Sequence, residues 1–342
     1  MGQTSSKNKK LKIKQFELLQ TLGKGGFGKV MLARSIKTKQ FYAIKSLRKS
    51  SLIKTKTSNR AFSEKNSMKT ISSPFVVSFF ASFQSEEKLY FVLEYISGGS
   101  LAFHLRFTQF SDSQIQFFAS ELILALRDIH QKNYIYRDLK PDNILFDSEG
   151  HLKIIDLGLA KKIEPEDTNR HYTRCGTIHY SAPEVLLGKQ YGKEVDWWSL
   201  GILLFELFHG YPPFRSQNQI ILASQILIEN PDISDSCSKD LKDLIKKLLE
   251  KNPLKRIGTG ETGILEIQKH PFFADVNWEE IENKTAKPNF EPFGNFDQIV
   301  EMFNKQKKKD SVFDSFDPYA YTAENTPKIF EGFDWICEEK KI

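Results

Sequence analysis

Asp138, Lys140 and Asn143 stand within six residues of one another, in the stretch Ile135-Tyr136-Arg137-Asp138-Leu139-Lys140-Pro141-Asp142-Asn143-Ile144-Leu145-Phe146. They offer a base, a cation and an amide able to ligate a metal. Any one of them alone is more often the polar dressing of a surface turn. All three in fixed order form a set that can do chemistry. A second stretch, Gly23-Lys24-Gly25-Gly26-Phe27-Gly28, carries the G-x-G-x-x-G spacing. Its glycines let backbone N–H groups approach phosphates closely.

These residues need elements to hold them. Pro141 blocks a helix at the turn, and Ile144-Leu145-Phe146 reads as a short buried strand. Residues 111–131 have strong helical periodicity, with Ile115, Phe118, Leu122, Ile123, Leu126 and Ile129 on one face, and this helix feeds the turn. The glycine stretch follows an apolar strand pattern over 16–22. In a Rossmann turn a helix would come next. Here residues 30–33 and 41–45 read as two more strands, joined by a polar turn. Residues 48–70 read as helical, and Ser72-Ser73-Pro74-Phe75 breaks the pattern. Strands follow around 76–83 and 89–93, and an apolar helix begins at Val195-Asp196-Trp197-Trp198-Ser199-Leu200-Gly201.

Composition bounds the class. The chain has 342 residues, 40% of them apolar, which suits a bilobal enzyme or two domains. Cys175, Cys237 and Cys337 are an odd set with no close pair, so a reduced cytoplasmic thiol set is expected. No apolar run is long enough for a membrane span. Net charge is +6, and five lysines (Lys7, Lys9, Lys10, Lys12 and Lys14) fall in residues 1–14, which hold no acid. The rest of the chain is close to neutral. A basic tail on a neutral body points to a local contact such as an anionic membrane, and away from nucleic acid.

Together the stretches resemble the AGC group of protein serine/threonine kinases, relatives of the cyclic-AMP-dependent kinase, protein kinase C and Akt. Tyr136-Arg137-Asp138-Leu139-Lys140 with Asn143 is similar to the kinase catalytic loop, and the glycine stretch to the lid over ATP. Lys45 in Ala43-Ile44-Lys45, Asp156 in Asp156-Leu157-Gly158 and Glu184 in Ala182-Pro183-Glu184 match further kinase motifs. Leu157 stands where Phe is usual. Group signs are Tyr136, Cys175-Gly176-Thr177, His270-Pro271-Phe272-Phe273 and Phe330-Glu331-Gly332-Phe333-Asp334-Trp335, which resembles the C-terminal hydrophobic motif. The resemblance covers 16–273, with the tail as a second match.

The resemblance implies an α+β bilobal protein kinase fold. A small β-rich N-lobe with its αC helix would occupy 15–96 and a mainly helical C-lobe 97–273, after a leader over 1–14 and before an AGC tail over 274–342. A short helix is expected near 297–305. ATP would lie against Leu22, Gly23, Lys24, Gly25, Gly26, Phe27, Gly28, Val30, Ala43, Leu93, Glu94, Ile96 and Leu145. Lys45, paired with Glu64, would hold the α/β-phosphates. Two Mg²⁺ ions would sit on Asn143 and Asp156. Asp138 would accept or orient the substrate hydroxyl, and Lys140 would neutralise the γ-phosphate. Arg256 would pair with Glu184. Tyr136 would join a buried stack with Leu157, Phe79 and Met68.

Control and recognition follow from the same resemblance. Thr173 matches the activation-loop phosphosite, served by an upstream kinase, with Arg137, Lys161 and Arg60 as phosphate partners. Phe330, Phe333, Asp334 and Trp335 would dock on the small lobe, with Asp334 where many relatives carry a phosphorylatable residue. Phe313-Asp314 resembles the tether to the ATP site, and Thr326-Pro327 is a candidate turn phosphosite. Asp142 and Glu206 match acids that read substrate arginine, whereas Ser100 and His179 replace two others. Met1-Gly2-Gln3-Thr4-Ser5-Ser6 matches the N-myristoylation pattern at Gly2. One acyl chain binds membranes marginally, and each nearby lysine adds at most about 1 kcal/mol. The reading is a monomeric kinase of protein substrates, cytoplasmic at the inner face of a membrane. A catalytically inactive, membrane-tethered scaffold is the alternative, against which stand Lys45, Asp138, Asn143 and Asp156.

Overall fold

The computed structural model describes residues 11–25, 28–163, 176–260, 262–292, 328–338 and 342. The chain divides into two compact units. The first takes Met1–Asn66, Ser78–Tyr95 and Ile299–Ile342; the second takes Ser67–Val77 and Ile96–Gln298. The first is built on a β-sheet and the second is mainly helical, as the resemblance implies.

The first unit's sheet contains β1 (Phe16–Gly25), β2 (Gly28–Ser35), β3 (Phe41–Arg48), β4 (Phe79–Gln84), β5 (Lys88–Glu94) and β10 (Trp335–Ile336). Strand order is β1-β2-β3-β5-β4-β10. Phe16, Ala33, Tyr42, Ile44, Ala81, Phe83, Tyr90 and Val92 form the core of one face. β1 runs on through Gly25, past the expected end at 22, and its register slips between Thr21 and Gly23. The helix expected over 48–70 is two helices, α1 (Lys49–Lys54) and α2 (Ser58–Thr70). Lys56 turns left-handed between them (φ 55°). Thr55 Oγ1 meets Thr57 Oγ1 at 2.7 Å and bonds back to Ser51 O at 2.8 Å. Such local side-chain bonds compete with helix continuation.

The second unit contains α3 (Leu101–His104), α4 (Asp112–Gln131), the strands β6 (Tyr134–Ile135), β7 (Ile144–Phe146), β8 (Leu152–Ile154) and β9 (Lys161–Lys162), and then α5 (Pro183–Leu186), α6 (Glu194–His209), α7 (Gln219–Ile228), α8 (Lys239–Leu248), α9 (Gly263–Gln268) and α10 (Trp278–Glu282). Ser111 caps α4 by accepting from Gln114 N, and Gln114 returns a bond to Ser111 N. α6 is buried on nearly every side, as a helix apolar all round must be. A Cβ at Gly201 would stand 2.8 Å from Leu248 Cβ, so glycine lets α8 approach α6. Pro141 begins a short 3₁₀ turn, Pro141–Asn143. Its missing N–H costs nothing at that first position, so the expected block applies only to a helix running through Pro141 from the residues before it. The 297–305 helix expectation lies outside the described residues. No described helix is long and apolar enough to cross a membrane.

Candidate active site

Three strands of the first unit set out one row of side chains. Val30 on β2 faces Lys45 on β3, and Ala43 faces Leu93 on β5. Paired residues and residues two apart share a face, so Val30, Ala43, Lys45 and Leu93 lie together. Lys45 Nζ is 2.6 Å from Glu64 Oε1 on α2, and the Glu64 side chain is only 5% exposed. The pair therefore sits on a helix and a strand that the sequence separates by 19 residues. Leu22 and Lys24 are exposed at the end of β1. A Cβ at Gly23 would meet nothing within 4 Å, so its glycine answers to no packing need of the described chain. That fits a backbone kept open for a phosphate group. At Gly28 a Cβ would fall 1.7 Å from Ser46 O, where β2 and β3 close on each other. Glu94 is fixed by Ser78 N, 3.0 Å from its Oε2. Gly26 and Phe27 lie outside the described residues.

The second unit gathers the other set. Lys140 Nζ donates to both Asp138 oxygens at 2.9 Å. Asn143 Nδ2 donates to Asp138 Oδ2 at 2.7 Å and to Asp138 O at 2.9 Å. Burial pushes the Asp138 carboxyl above its ordinary range; Lys140 and Asn143 pull it back, and Asp156 pushes it up again. Asp156 Oδ1 accepts from Gly158 N at 2.8 Å. Ile96 is buried, and Leu145 is half-buried in a bridge to Ser100. Among the described residues no group of three or more His, Cys, Asp or Glu could hold a metal alone. Mg²⁺ needs no such cage, because it keeps waters and phosphate oxygens and takes one or two protein ligands. Asn143 and Asp156, an amide and a carboxylate, have the right chemistry for it.

Asp196 holds this loop in place, a role the sequence reading missed. Its Oδ2 accepts from Tyr136 N at 2.8 Å and its Oδ1 from Arg137 N at 2.7 Å, and His130 Nε2 lies 2.7 Å from Oδ2. The carboxylate is fully buried. An acid directly before the apolar run Trp197-Trp198 of α6 was the available signal, since a buried charge must have partners. Lys140 Nζ also reaches Thr177 Oγ1 at 3.3 Å. Arg256 grips Glu184 through two bonds, 2.7 and 3.0 Å, with both side chains buried. Tyr136, Leu157, Met68 and Phe79 are each buried.

The expected control residues are placed in part. Arg137 Nε donates to Leu159 O at 2.8 Å and Nη1 to Tyr191 Oη at 3.1 Å. Lys161 is exposed on β9, whose partner β6 sets it opposite Ile135. Arg60 is exposed on α2 in the first unit. Thr173, Gly2, Phe313-Asp314 and Thr326-Pro327 lie outside the described residues. Asp142 is exposed, and Glu206 accepts from the Tyr180 hydroxyl. Burial raises the Glu206 carboxyl, Tyr180 lowers it and Asp142 raises it, so the two acids feel each other.

The C-terminal segment is seated on the first unit's sheet. Phe330 and Phe333 are 1% and 0% exposed. Phe333 stands edge-on to Phe62 and Phe91, at 5.7 and 5.3 Å between ring centroids. Trp335 stacks on Phe79 at 4.7 Å, and β10 pairs antiparallel with β4. Lys65 Nζ donates to Gly332 O at 2.7 Å, Ser82 Oγ to Phe333 O at 2.6 Å and Gln84 Nε2 to Phe330 O at 3.0 Å. Lys49 is buried, 5.2 Å from the Phe330 ring centroid; burial lowers its ammonium, and the charge of Asp334 pulls it back up. Asp334 itself is exposed.

The protein kinase domain family matches residues 16–273. Over 97% of its length the chain is 41% identical to "Protein kinase 2" of Dictyostelium discoideum, covering 70% of that protein. It is 37% identical to the RAC family serine/threonine-protein kinase homolog of the same organism, over the whole chain and 76% of the relative. To the serine/threonine-protein kinase YPK2/YKR2 of Saccharomyces cerevisiae it is 40% identical, over 98% of the chain and 49% of the relative.

Proposed function

The chain belongs to the protein kinase family, as a serine/threonine kinase of the AGC type, and on that premise we propose how its residues divide the work. ATP and Mg²⁺ are the family's general cofactors and proteins its substrates. Phosphoryl transfer depends on positioning and charge stabilisation more than on covalent chemistry. Asp138 takes or orients the proton of the substrate hydroxyl. Lys140 neutralises the γ-phosphate, and Lys45, steadied by Glu64, sets the α/β-phosphates. Asn143 and Asp156 hold the metal, as two ions in our reading. When bound, Mg²⁺ offsets charge on the phosphate oxygens. The observation that carries this reading is the Asp138 carboxylate, bonded by Lys140 and Asn143 on a loop whose backbone Asp196 fixes.

Thr173 is the activation site, phosphorylated by an upstream kinase. Lys161 pairs with Ile135, two residues before Arg137, and two cations carried on such neighbouring backbone favour an anion. Thr173→Ala is expected to lower kcat at least tenfold; full activity of unphosphorylated protein refutes the switch. The docked C-terminal motif needs no phosphate, because Asp334 carries a permanent charge towards Lys49. Asp142 and Glu206 favour arginine two residues before the target, and an oriented peptide library with no such preference overturns that assignment. Gly2 carries a myristoyl chain, which with the lysines of 1–14 holds the protein at an anionic membrane. Gly2→Ala should move it to the soluble fraction; an unchanged membrane fraction refutes the anchor.

A further inference from the structure

Charge is spread unevenly along the chain. Residues 1–63 hold sixteen lysines and arginines and one acid, Glu17, whereas residues 64–342 hold nine more acids than lysines and arginines. Glu17 is itself taken up by Arg34, whose Nη2 lies 2.6 Å from its Oε2. Such a local excess sets the field over a surface and selects the sign of its partner.

Part of the excess is held on a fixed surface of the first unit. Over Leu11-Lys12-Ile13-Lys14 apolar residues alternate with lysines. Leu11 and Ile13 pack against the sheet core that contains Phe16 and Tyr42, and Lys12 and Lys14 are left exposed. The backbone O of the next residue, Gln15, accepts from Ile36 N at 3.0 Å, which ties this stretch to the turn between β2 and β3. Ser35 N closes that turn on Gln40 O at 2.9 Å, and Ser35 Oγ accepts from Thr38 N at 3.1 Å. Ile36, Lys37 and Lys39 are all exposed, Ile36 at 53%. Lys39 is left-handed (φ 61°), a conformation that glycine adopts without cost. A lysine there gives up backbone ease and supplies an exposed charge.

One exposed isoleucine is ordinary. An isoleucine in a turn with four lysines on neighbouring backbone combines apolar area for a bilayer interface with cations for anionic headgroups. The cations are lysines, mobile point charges without the planar fork that reads a single phosphate. Glu86 and Glu87 line a groove with Lys12 and Lys14 and bound the patch there. We propose that the β2–β3 turn, with residues 12–14, is a membrane-docking surface: Ile36 enters the interface of an anionic bilayer, and Lys12, Lys14, Lys37 and Lys39 engage its headgroups. The surface is separate from the acyl chain read at Gly2 and does not need it.

The test is co-sedimentation with phosphatidylcholine vesicles in which one lipid in four is phosphatidylserine. It uses the full chain as Gly2→Ala, so that no acyl chain contributes. Adding Ile36→Ser should weaken partition about three- to tenfold, the effect of partly burying one aliphatic side chain. Adding Lys37→Gln with Lys39→Gln should weaken it up to about twenty-five-fold, at up to about fivefold per lysine. Lys39→Gly should weaken it up to about fivefold and leave the urea midpoint unchanged or raised, because glycine suits the turn. Each variant should phosphorylate a soluble peptide as its parent does, which shows an intact fold. No partition of Gly2→Ala at low salt, or partition unmoved by Ile36→Ser and by the lysine pair, overturns the proposal. Partition that falls with the lysine pair and not with Ile36→Ser marks a purely electrostatic contact, of the kind an acidic protein makes, and overturns it too. The acyl anchor is judged apart, by acylated wild type against Gly2→Ala: equal partition of those two overturns the anchor and leaves the docking surface standing.

Discussion

In the first unit the C-terminal segment is held by rings and main-chain carbonyls; in the second the Asp138 loop is held by the buried Asp196 carboxylate. Phe333 is wedged between Phe62 and Phe91, and Lys65, Ser82 and Gln84 donate to neutral oxygens. Asp196 and Glu184, by contrast, receive hydrogen bonds on charged groups with almost no exposure. Ring packing spreads its energy over many weak contacts, and no single polar atom decides the outcome. A buried carboxylate concentrates it, because removing that one group strands several donors at once. The first arrangement suits a segment that docks from a distant part of the chain. The second suits a loop whose backbone must keep one geometry for chemistry.

The contrast breaks most sharply at Asp196. Asp196→Ala strands two backbone N–H groups and His130, which should cost about 3–6 kcal/mol of stability and at least a hundredfold in kcat. Urea unfolding and a peptide assay measure both, and wild-type kcat in the variant contradicts the anchoring role. Phe333→Ala should act differently. It should release the segment without unfolding the unit, lower kcat about tenfold and change the Trp335 fluorescence; the docking free energy lost is about 2–4 kcal/mol. A drop in stability as large as that of Asp196→Ala would erase the distinction.

Acid sharpens the same comparison. Burial raises the Asp138 carboxyl despite Lys140 and Asn143. A raised carboxyl takes its proton at higher pH than usual, so the proton-accepting form is lost early as pH falls. The acid limb of kcat should therefore lie above the ordinary Asp value of about 3.9. The seating of Phe330 and Phe333 rests on ring packing and on bonds from Lys65, Ser82 and Gln84 to main-chain oxygens, so Trp335 fluorescence should stay constant through that limb. The opposite order, undocking before the loss of kcat, contradicts the account. Asp334→Asn is the mildest change. Asp334 is exposed and meets Lys49 only through charge, so kcat should change less than about threefold.

Much of the site was legible because it depends on residue type at fixed spacing. Lys45 with Glu64 and Arg256 with Glu184 were paired from motifs, and the coordinates place each pair within bonding distance. The helix read over 111–131 and the short strand at Ile144–Phe146 were equally readable from periodicity. What escaped depends on contacts between distant segments or on local competition. Asp196 looked like one acid in an apolar helix until the turns of Tyr136 and Arg137 were brought to it. The division of 48–70 turned on hydroxyl bonds between Thr55, Thr57 and Ser51, which helical periodicity does not register. Pro141 was read as a blocker, although a first helical position accommodates it.

The most direct test of the central claim is transfer of labelled phosphate from ATP to a serine peptide by wild type and Asp138→Asn, with nucleotide binding measured on both. Wild type should transfer. Asp138→Asn should lose about a thousandfold or more in kcat and bind ATP as before. Equal transfer by the two proteins, or a wild type that binds ATP and never transfers its phosphate, contradicts the account.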